Sequence, residues 1–286
     1  DPLTAMKMVN KLLLQGIEIH ESPRGFTTTG GVSYPSGSWL VSLAQPKMGL
    51  IRYLLGRTFY PDNEWTRARD GAPLRPYDMA TDTMFEFMGV RVDPLDQSPP
   101  PGLTKLMAPV AALGKVVAAS AAYSLDGRLN DSFRAVNVLI DKGIAVRRIA
   151  TTRGELRAGD FVVPKGREDV LAEVARATGV DFRSLQDGTQ GRELKRLRIG
   201  MYQRYLGGNM DEGWTRFLLE QFGFPYKSVM DAELKKGALN LNYDVIILPD
   251  DSTAALTGER RESASRLVEE FPPEYRSGFG KEGTDA

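Results

Sequence analysis

An internal repeat limits the folds open to this chain more than any other feature. In a first copy, residues 6–19 read MKMVNKLLLQGIEI, and in a second, residues 133–146 read FRAVNVLIDKGIAV. Val9-Asn10 and Gly16-Ile17 recur as Val136-Asn137 and Gly143-Ile144, both 127 positions further on. Beyond them SGSWLV at 36–41 corresponds to AGDFVV at 158–163, after the loss of five residues. A repeat of this length describes one supersecondary unit made twice. Leu3, Met6, Val9 and Leu13 recur at helical spacing, as do Phe133, Val136 and Ile140, and each run ends at a glycine suited to the left-handed C′ position. Thr4 in the first copy, and Asn130, Asp131 or Ser132 in the second, are the residue types that cap a helix. A strand follows each helix (17–20; 144–149), then a polar turn, a second strand (39–43; 161–163) and a second helix (49–56; 168–178). The expected architecture is an internally duplicated α+β domain, (α-β-β-α) twice, with approximate two-fold pseudosymmetry. Asn10 and Asn137 stand mid-helix, where asparagine is unfavoured, and are expected to hydrogen-bond to the neighbouring unit.

Between the copies, YDMATDTMFEFMGV (77–90) predicts a helix with Asp78 or Thr81 near its cap. Ser98-Pro99-Pro100-Pro101-Gly102 predicts a loop, because consecutive prolines fit neither helix nor central strand. Residues 116–124 have strand character and lead into a turn at Leu125-Asp126-Gly127. A new pattern begins near Lys195: strand 197–202, helix 211–222, strand 226–230 and apolar strand 243–248. This βαβ series predicts a partial Rossmann-like α/β parallel sheet. The tail carries a helix pattern at 259–270 and then Pro272-Pro273, with no further strand, so the sheet is expected to pack its open edges on the repeat domain or on another molecule. The resulting division is 1–92 first repeat with a helical extension, 93–115 Pro-rich linker, 116–192 second repeat and 193–286 partial α/β domain.

Composition removes several chemistries. Lysine plus arginine (37) equals aspartate plus glutamate (37), so no electrostatic case for nucleic-acid or anionic-membrane binding exists. The chain has no cysteine, which excludes disulfides, thiolate metal sites and thiol nucleophiles. Its single histidine, His20, cannot supply the two or three imidazoles of a usual zinc hydrolase, and no metal or cofactor is expected. No apolar run approaches the roughly 18–20 residues that cross a bilayer. The opening Asp1-Pro2-Leu3-Thr4 has neither initiator Met nor signal-peptide pattern, as a processed or excised chain would.

The run Ile199-Gly200-Met201-Tyr202-Gln203, then Gly207-Gly208-Asn209-Met210-Asp211-Glu212-Gly213-Trp214-Thr215-Arg216-Phe217, with Tyr243-Asp244-Val245-Ile246-Ile247-Leu248-Pro249-Asp250, resembles the C-terminal region of bacterial zinc carboxypeptidase-like proteins. Arg75-Pro76-Tyr77-Asp78-Met79 and Asn130-Asp131-Ser132-Phe133-Arg134-Ala135-Val136-Asn137 resemble the linker region of that family. There a carboxypeptidase A-like domain precedes a region of this kind, which ends in a class I glutamine amidotransferase-like domain. The catalytic His-x-x-Glu pair and distant third histidine have no counterpart here, nor does the amidotransferase cysteine. The resemblance therefore implies a non-catalytic piece of a larger protein, truncated within its amidotransferase-like sheet. It also implies a secreted or periplasmic protein, and a neighbouring peptidase domain, or self-association through the incomplete sheet, as its partner. An accessory role in substrate capture or domain packing is the leading expectation. A metal-independent hydrolase of ester or amide bonds at an interdomain cleft is the alternative.

The residues that could carry such chemistry are few. His20, the chain's one imidazole and so its one candidate histidine base, falls at the end of the first copy's strand beside Glu21 and Ser22. With a serine such as Ser22 or Ser38 and a carboxylate such as Asp211 it would make a nucleophilic triad, although no Gly-x-Ser-x-Gly elbow is present. Gly208, Asn209 and Asp211 join a strand to a helix at the carboxyl end of the predicted parallel sheet, where open α/β folds place ligands. Tyr202, Tyr205 and Trp214 could wall that site, although Trp214 at helical spacing from Phe217 and Leu218 reads as core. Asp250-Asp251 reads as a loop or cap, and Arg147, Arg148, Arg153 and Arg157 as a solvated basic face.

Overall fold

Asp1 and Pro2 start the first helix, α1 (Pro2–Leu14). The Asp1 Oδ1 accepts the N–H groups of Leu3 (2.9 Å) and Thr4 (3.1 Å), and proline sits in the first turn, where no N–H is needed. Thr4 is thus not the cap but a buried member of the helix. The computed structural model describes residues 1–57, 61–74, 83–188, 190–205, 209–258, 270–272, 275 and 278–286. The chain divides into two compact units, Asp1–Lys115 with Arg128–Asn130, and Val116–Gly127 with Asp131–Ala286.

In the first unit α1 is followed by β1 (His20–Ser22), the hairpin β2 (Phe26–Thr27) and β3 (Ser33–Tyr34), β4 (Ser38–Leu40), helices α2 (Met48–Leu55) and α3 (Met84–Phe87), and β5 (Thr104–Lys105). β1 is the centre of an antiparallel sheet ordered β4-β1-β5. The core gathers Met8, Val9 and Leu12 from α1, Ile17 and Ile19 from the extended segment after it, Ile51 from α2 and Phe85 from α3. Residues 77–82 of the long helix expected at 77–90, its cap candidates Asp78 and Thr81 among them, lie outside the described residues, and its described end is the single turn α3 (Met84–Phe87). The Pro-rich segment provides the edge strand β5, since its prolines precede the paired residues Thr104 and Lys105.

The second unit opens with β6 (Ala122–Leu125), α4 (Asn130–Asp141), β7 (Arg147–Arg148), β8 (Phe161–Pro164), α5 (Glu168–Thr178), β9 (Arg183–Leu185) and β10 (Arg192–Glu193). Its antiparallel sheet runs β10-β7-β8-β6-β9. Gly127 makes the turn into α4, where an added Cβ would stand 1.9 Å from the Gly159 carbonyl oxygen. Several backbone bonds recur at the positions that the two sequence copies align. His20 pairs with Leu40 and Glu21 with Trp39 in the first; Arg147 pairs with Val162 and Arg148 with Phe161 in the second. Ile17 N–H donates to Leu12 O as Ile144 does to Leu139 O, and Gly37 N–H to Ser22 O as Gly159 does to Ile149 O. Gly16 and Gly143 hold φ of 75° and 73°, the left-handed turn that both sequences require after the helix.

The chain then forms a parallel sheet from β11 (Ile199–Tyr202), β12 (Tyr226–Val229) and β13 (Val245–Ile247), in the order β12-β11-β13. Helix α6 (Met210–Gln221) joins β11 to β12, and α7 (Asp231–Lys235) precedes β13. The fold is therefore mixed α and β with several sheets, one of them parallel. The helix expected at 259–270 falls almost wholly outside the described residues. Among the described residues no helix is long and apolar enough to cross a membrane.

The two mid-helix asparagines do hydrogen-bond, but each within its own unit rather than to the neighbouring one. Asn10 Nδ2 donates to Val110 O (2.9 Å) while its Oδ1 accepts Val110 N–H (2.8 Å), and Asn137 Nδ2 donates to Phe222 O (2.9 Å). Each side chain fastens a later segment of backbone to its helix.

Candidate functional site

The strand order β12-β11-β13 puts a topological switch point between β11 and β13, because the chain leaves β11 to one side and returns on the other. All four residues of β11 are buried, and Gly200 is required there, since a Cβ would come within 2.8 Å of Val229 and 3.1 Å of Tyr243. At the carboxyl end of β11, Tyr202 donates its hydroxyl to Asp231 Oδ1 (2.6 Å), and Asp231 Oδ2 accepts the N–H of Gly278 (2.9 Å). Burial, reinforced by Asp231, pushes the Tyr202 phenol well above its ordinary value, so it stays a neutral donor.

Asn209 is the cap of α6. Its Oδ1 accepts the N–H groups of Asp211 (2.8 Å) and Glu212 (3.2 Å), and its Nδ2 donates to Asp250 O (3.0 Å) and Asp251 Oδ2 (3.3 Å). Arg204 Nε lies 2.8 Å from Asp251 Oδ2, and Glu212 pairs with Arg216 one helical turn on. Tyr202, Arg204, Asn209, Glu212 and Asp251 thus enclose a hollow of about 40 Å³, room for about two or three waters. The place where an open α/β sheet would receive a ligand is bridged by the protein's own ion pair.

Of the residues expected to bind here, Tyr202 and Asn209 line the hollow. Asp211 lies exposed on the first turn of α6, and Gly208 is outside the described residues. Tyr205 leans on Tyr275, ring centroids 4.5 Å apart, and does not line the hollow. Trp214 is not core: Met210, Trp214, Phe217 and Leu218 are 82%, 68%, 53% and 55% exposed along one stripe of α6. Helical spacing identifies such a stripe without saying whether anything covers it. Arg204 and Glu212 carried no sequence signal, because an isolated ionic residue gains meaning only from the strand end or helix turn that aims it. Asp251 accepts its own loop's Ser252 N–H (2.9 Å) and is ion-paired with Arg204, in keeping with a loop role.

His20, Ser22 and Ser38 belong to the first unit and Asp211 to the second. His20 and Ser22 share a face of β1, with Ser38 opposite Ser22 in register. Both hydroxyls are committed to backbone carbonyls, Ser22 Oγ to Arg24 O and Ser38 Oγ to Pro35 O, each at 2.8 Å. A serine nucleophile must instead give its proton to the base. The arginine-rich stretch is not simply a solvated face. The Arg148 guanidinium lies 5.6 Å from the ring centroids of both Phe133 and Phe161, and Arg157 pairs with Asp126 and Asp160. Among the described residues no group of three His, Asp or Glu side chains could hold a metal ion.

Compared with family models, curated proteins and solved structures, the chain matches none.

Proposed function

We propose that this chain is a non-catalytic accessory region of a metallopeptidase-like protein. It is read as a duplicated (α-β-β-α) domain followed by a partial Rossmann-like, amidotransferase-like sheet, and its task is domain packing. The carrying observation is the uncovered apolar stripe of Met210, Trp214, Phe217 and Leu218 on α6, since a contiguous exposed apolar patch marks an interaction surface. The switch-point hollow, closed by Arg204 and Asp251, and the serine hydroxyls turned to backbone carbonyls support the absence of catalysis. The recurring strand register and turn bonds of the two units support the duplication.

The test is hydrolysis of an ester panel, including aromatic polyesters, and of a C-terminal peptide, with and without a chelator, beside sedimentation velocity of the same preparation. The expected outcome is no cleavage above the uncatalysed rate, with self-association that falls when Trp214 and Phe217 are replaced by serine. Chelator-resistant ester cleavage abolished by His20→Ala would overturn the reading.

A further inference from the structure

The second unit contains a larger cavity, about 240 Å³, that has no part in the packing role. Its lining includes two buried carboxylates, Asp126 and Asp160, whose side chains are only 7% and 6% exposed. Asp160 Oδ1 accepts the N–H of Gly127 (3.0 Å) and its Oδ2 that of Arg157 (2.9 Å). Arg157 Nη2 lies 3.0 Å from Asp126 Oδ2, and its Nε 3.5 Å from Asp160 Oδ2. These three charges hold one another and fix the turn from β6 into α4 against the start of β8.

Two further charged residues line the cavity, Glu155 and Arg183. Arg183 is on β9, opposite Ser124 of β6 in register. Glu155 sits in a tight turn closed by Arg153 N–H to Leu156 O (2.8 Å) and Leu156 N–H to Arg153 O (3.0 Å), with Gly154 at φ 55°. Leu156 anchors that turn in a buried cluster with Ala122, Ile149, Val162 and Leu185. Both residues therefore rise from ordered backbone. Among the described residues neither side chain makes a hydrogen bond or ion pair, with the other or with anything else.

A cavity edged by one free carboxylate and one free guanidinium is matched by a ligand carrying one charge of each sign. Leu125 is its one apolar lining residue, so an apolar ligand would gain little there, while Ser124 and Ser184 add hydroxyls. The volume falls below the roughly 300–1,000 Å³ of sites for drug-sized molecules. We propose that this cavity binds a small zwitterion of α-amino-acid size, its carboxylate on Arg183 and its ammonium on Glu155. The site does not rest on the packing reading: either can fail alone, because the residues are different and the readouts are binding here and hydrolysis or sedimentation there.

The test is NMR titration of the full chain with the standard amino acids. The best binder is then compared with its N-acetyl form, which lacks the ammonium, and its amide, which lacks the carboxylate. Saturable binding is expected to shift resonances of 153–157 and 183–184, and each blocked form to bind at least about tenfold weaker, the cost of one lost charge contact. Arg183→Gln and Glu155→Gln are expected to weaken binding by a similar factor with the melting temperature unchanged, as both residues are exposed. The proposal is overturned by no saturable binding across the panel, by a blocked form that binds as well as its parent, or by affinity indifferent to both substitutions.

Discussion

Individual side chains here act mostly as fasteners between backbone segments. Asn10 both donates to and accepts from Val110, so Asn10→Ala leaves a donor and an acceptor without partners. A loss of about 1–3 kcal/mol is expected by urea unfolding, with Asn10→Asp recovering the acceptor half only. Asp244 shows the same role in an exposed setting. Hydrogen bonds from the Arg198 side chain and then from its backbone N–H hold the Asp244 carboxyl below its ordinary 3.8, at about 2. A carboxyl depressed by folding binds its proton more tightly in the unfolded chain. Its contribution is therefore complete above pH 3.8 and is lost as pH falls towards about 2. Acid unfolding of Asp244→Asn is expected to lack that part of the pH dependence, and identical curves for variant and parent would refute the assignment. None of these partners could be read from the sequence, because Asn10 and Val110 are 100 positions apart and meet only after the helix and edge strand have formed.

At the level of elements, the periodic ones were legible and the unpaired ones were not. Helices α1, α4, α5 and α6 appear where apolar spacing and terminal glycine or asparagine put them, because a buried stripe and a cap are local requirements. β1 and β7 begin later than alternation suggested, at His20 and Arg147, although Ile17, Ile19, Ile144 and Val146 just before them are already buried in the core. Helix α6 is the instructive case. Its Trp214 has core spacing yet lies exposed, T-shaped against Phe217 with ring centroids 6.1 Å apart. Trp214→Ser is accordingly expected to change the stability of the isolated chain by less than about 0.5 kcal/mol. A core tryptophan would cost about 3–5 kcal/mol, a difference that chemical denaturation resolves easily.

For the whole molecule, zero formal net charge at pH 7 removes the long-range repulsion that keeps copies apart, while α6 offers them an apolar stripe. Self-association in sedimentation velocity is therefore expected to be strongest near the pI of about 6.9 and to weaken by pH 9 as net negative charge accumulates. Association that does not vary across that range would argue against a charge-limited contact. The sequence by itself determined the parallel βαβ segment, the main helices and the exclusion of thiol chemistry, all of which depend on residue identity and short-range periodicity. Tertiary structure alone decided that Arg204 would close the switch-point hollow on Asp251, that Arg157 would be held by Asp126 and Asp160, and that Glu155 and Arg183 would border one cavity. The physical reason is distance: a charge acquires a function from the groups within a few ångströms, and in a folded chain those groups come from strands and turns far apart in sequence.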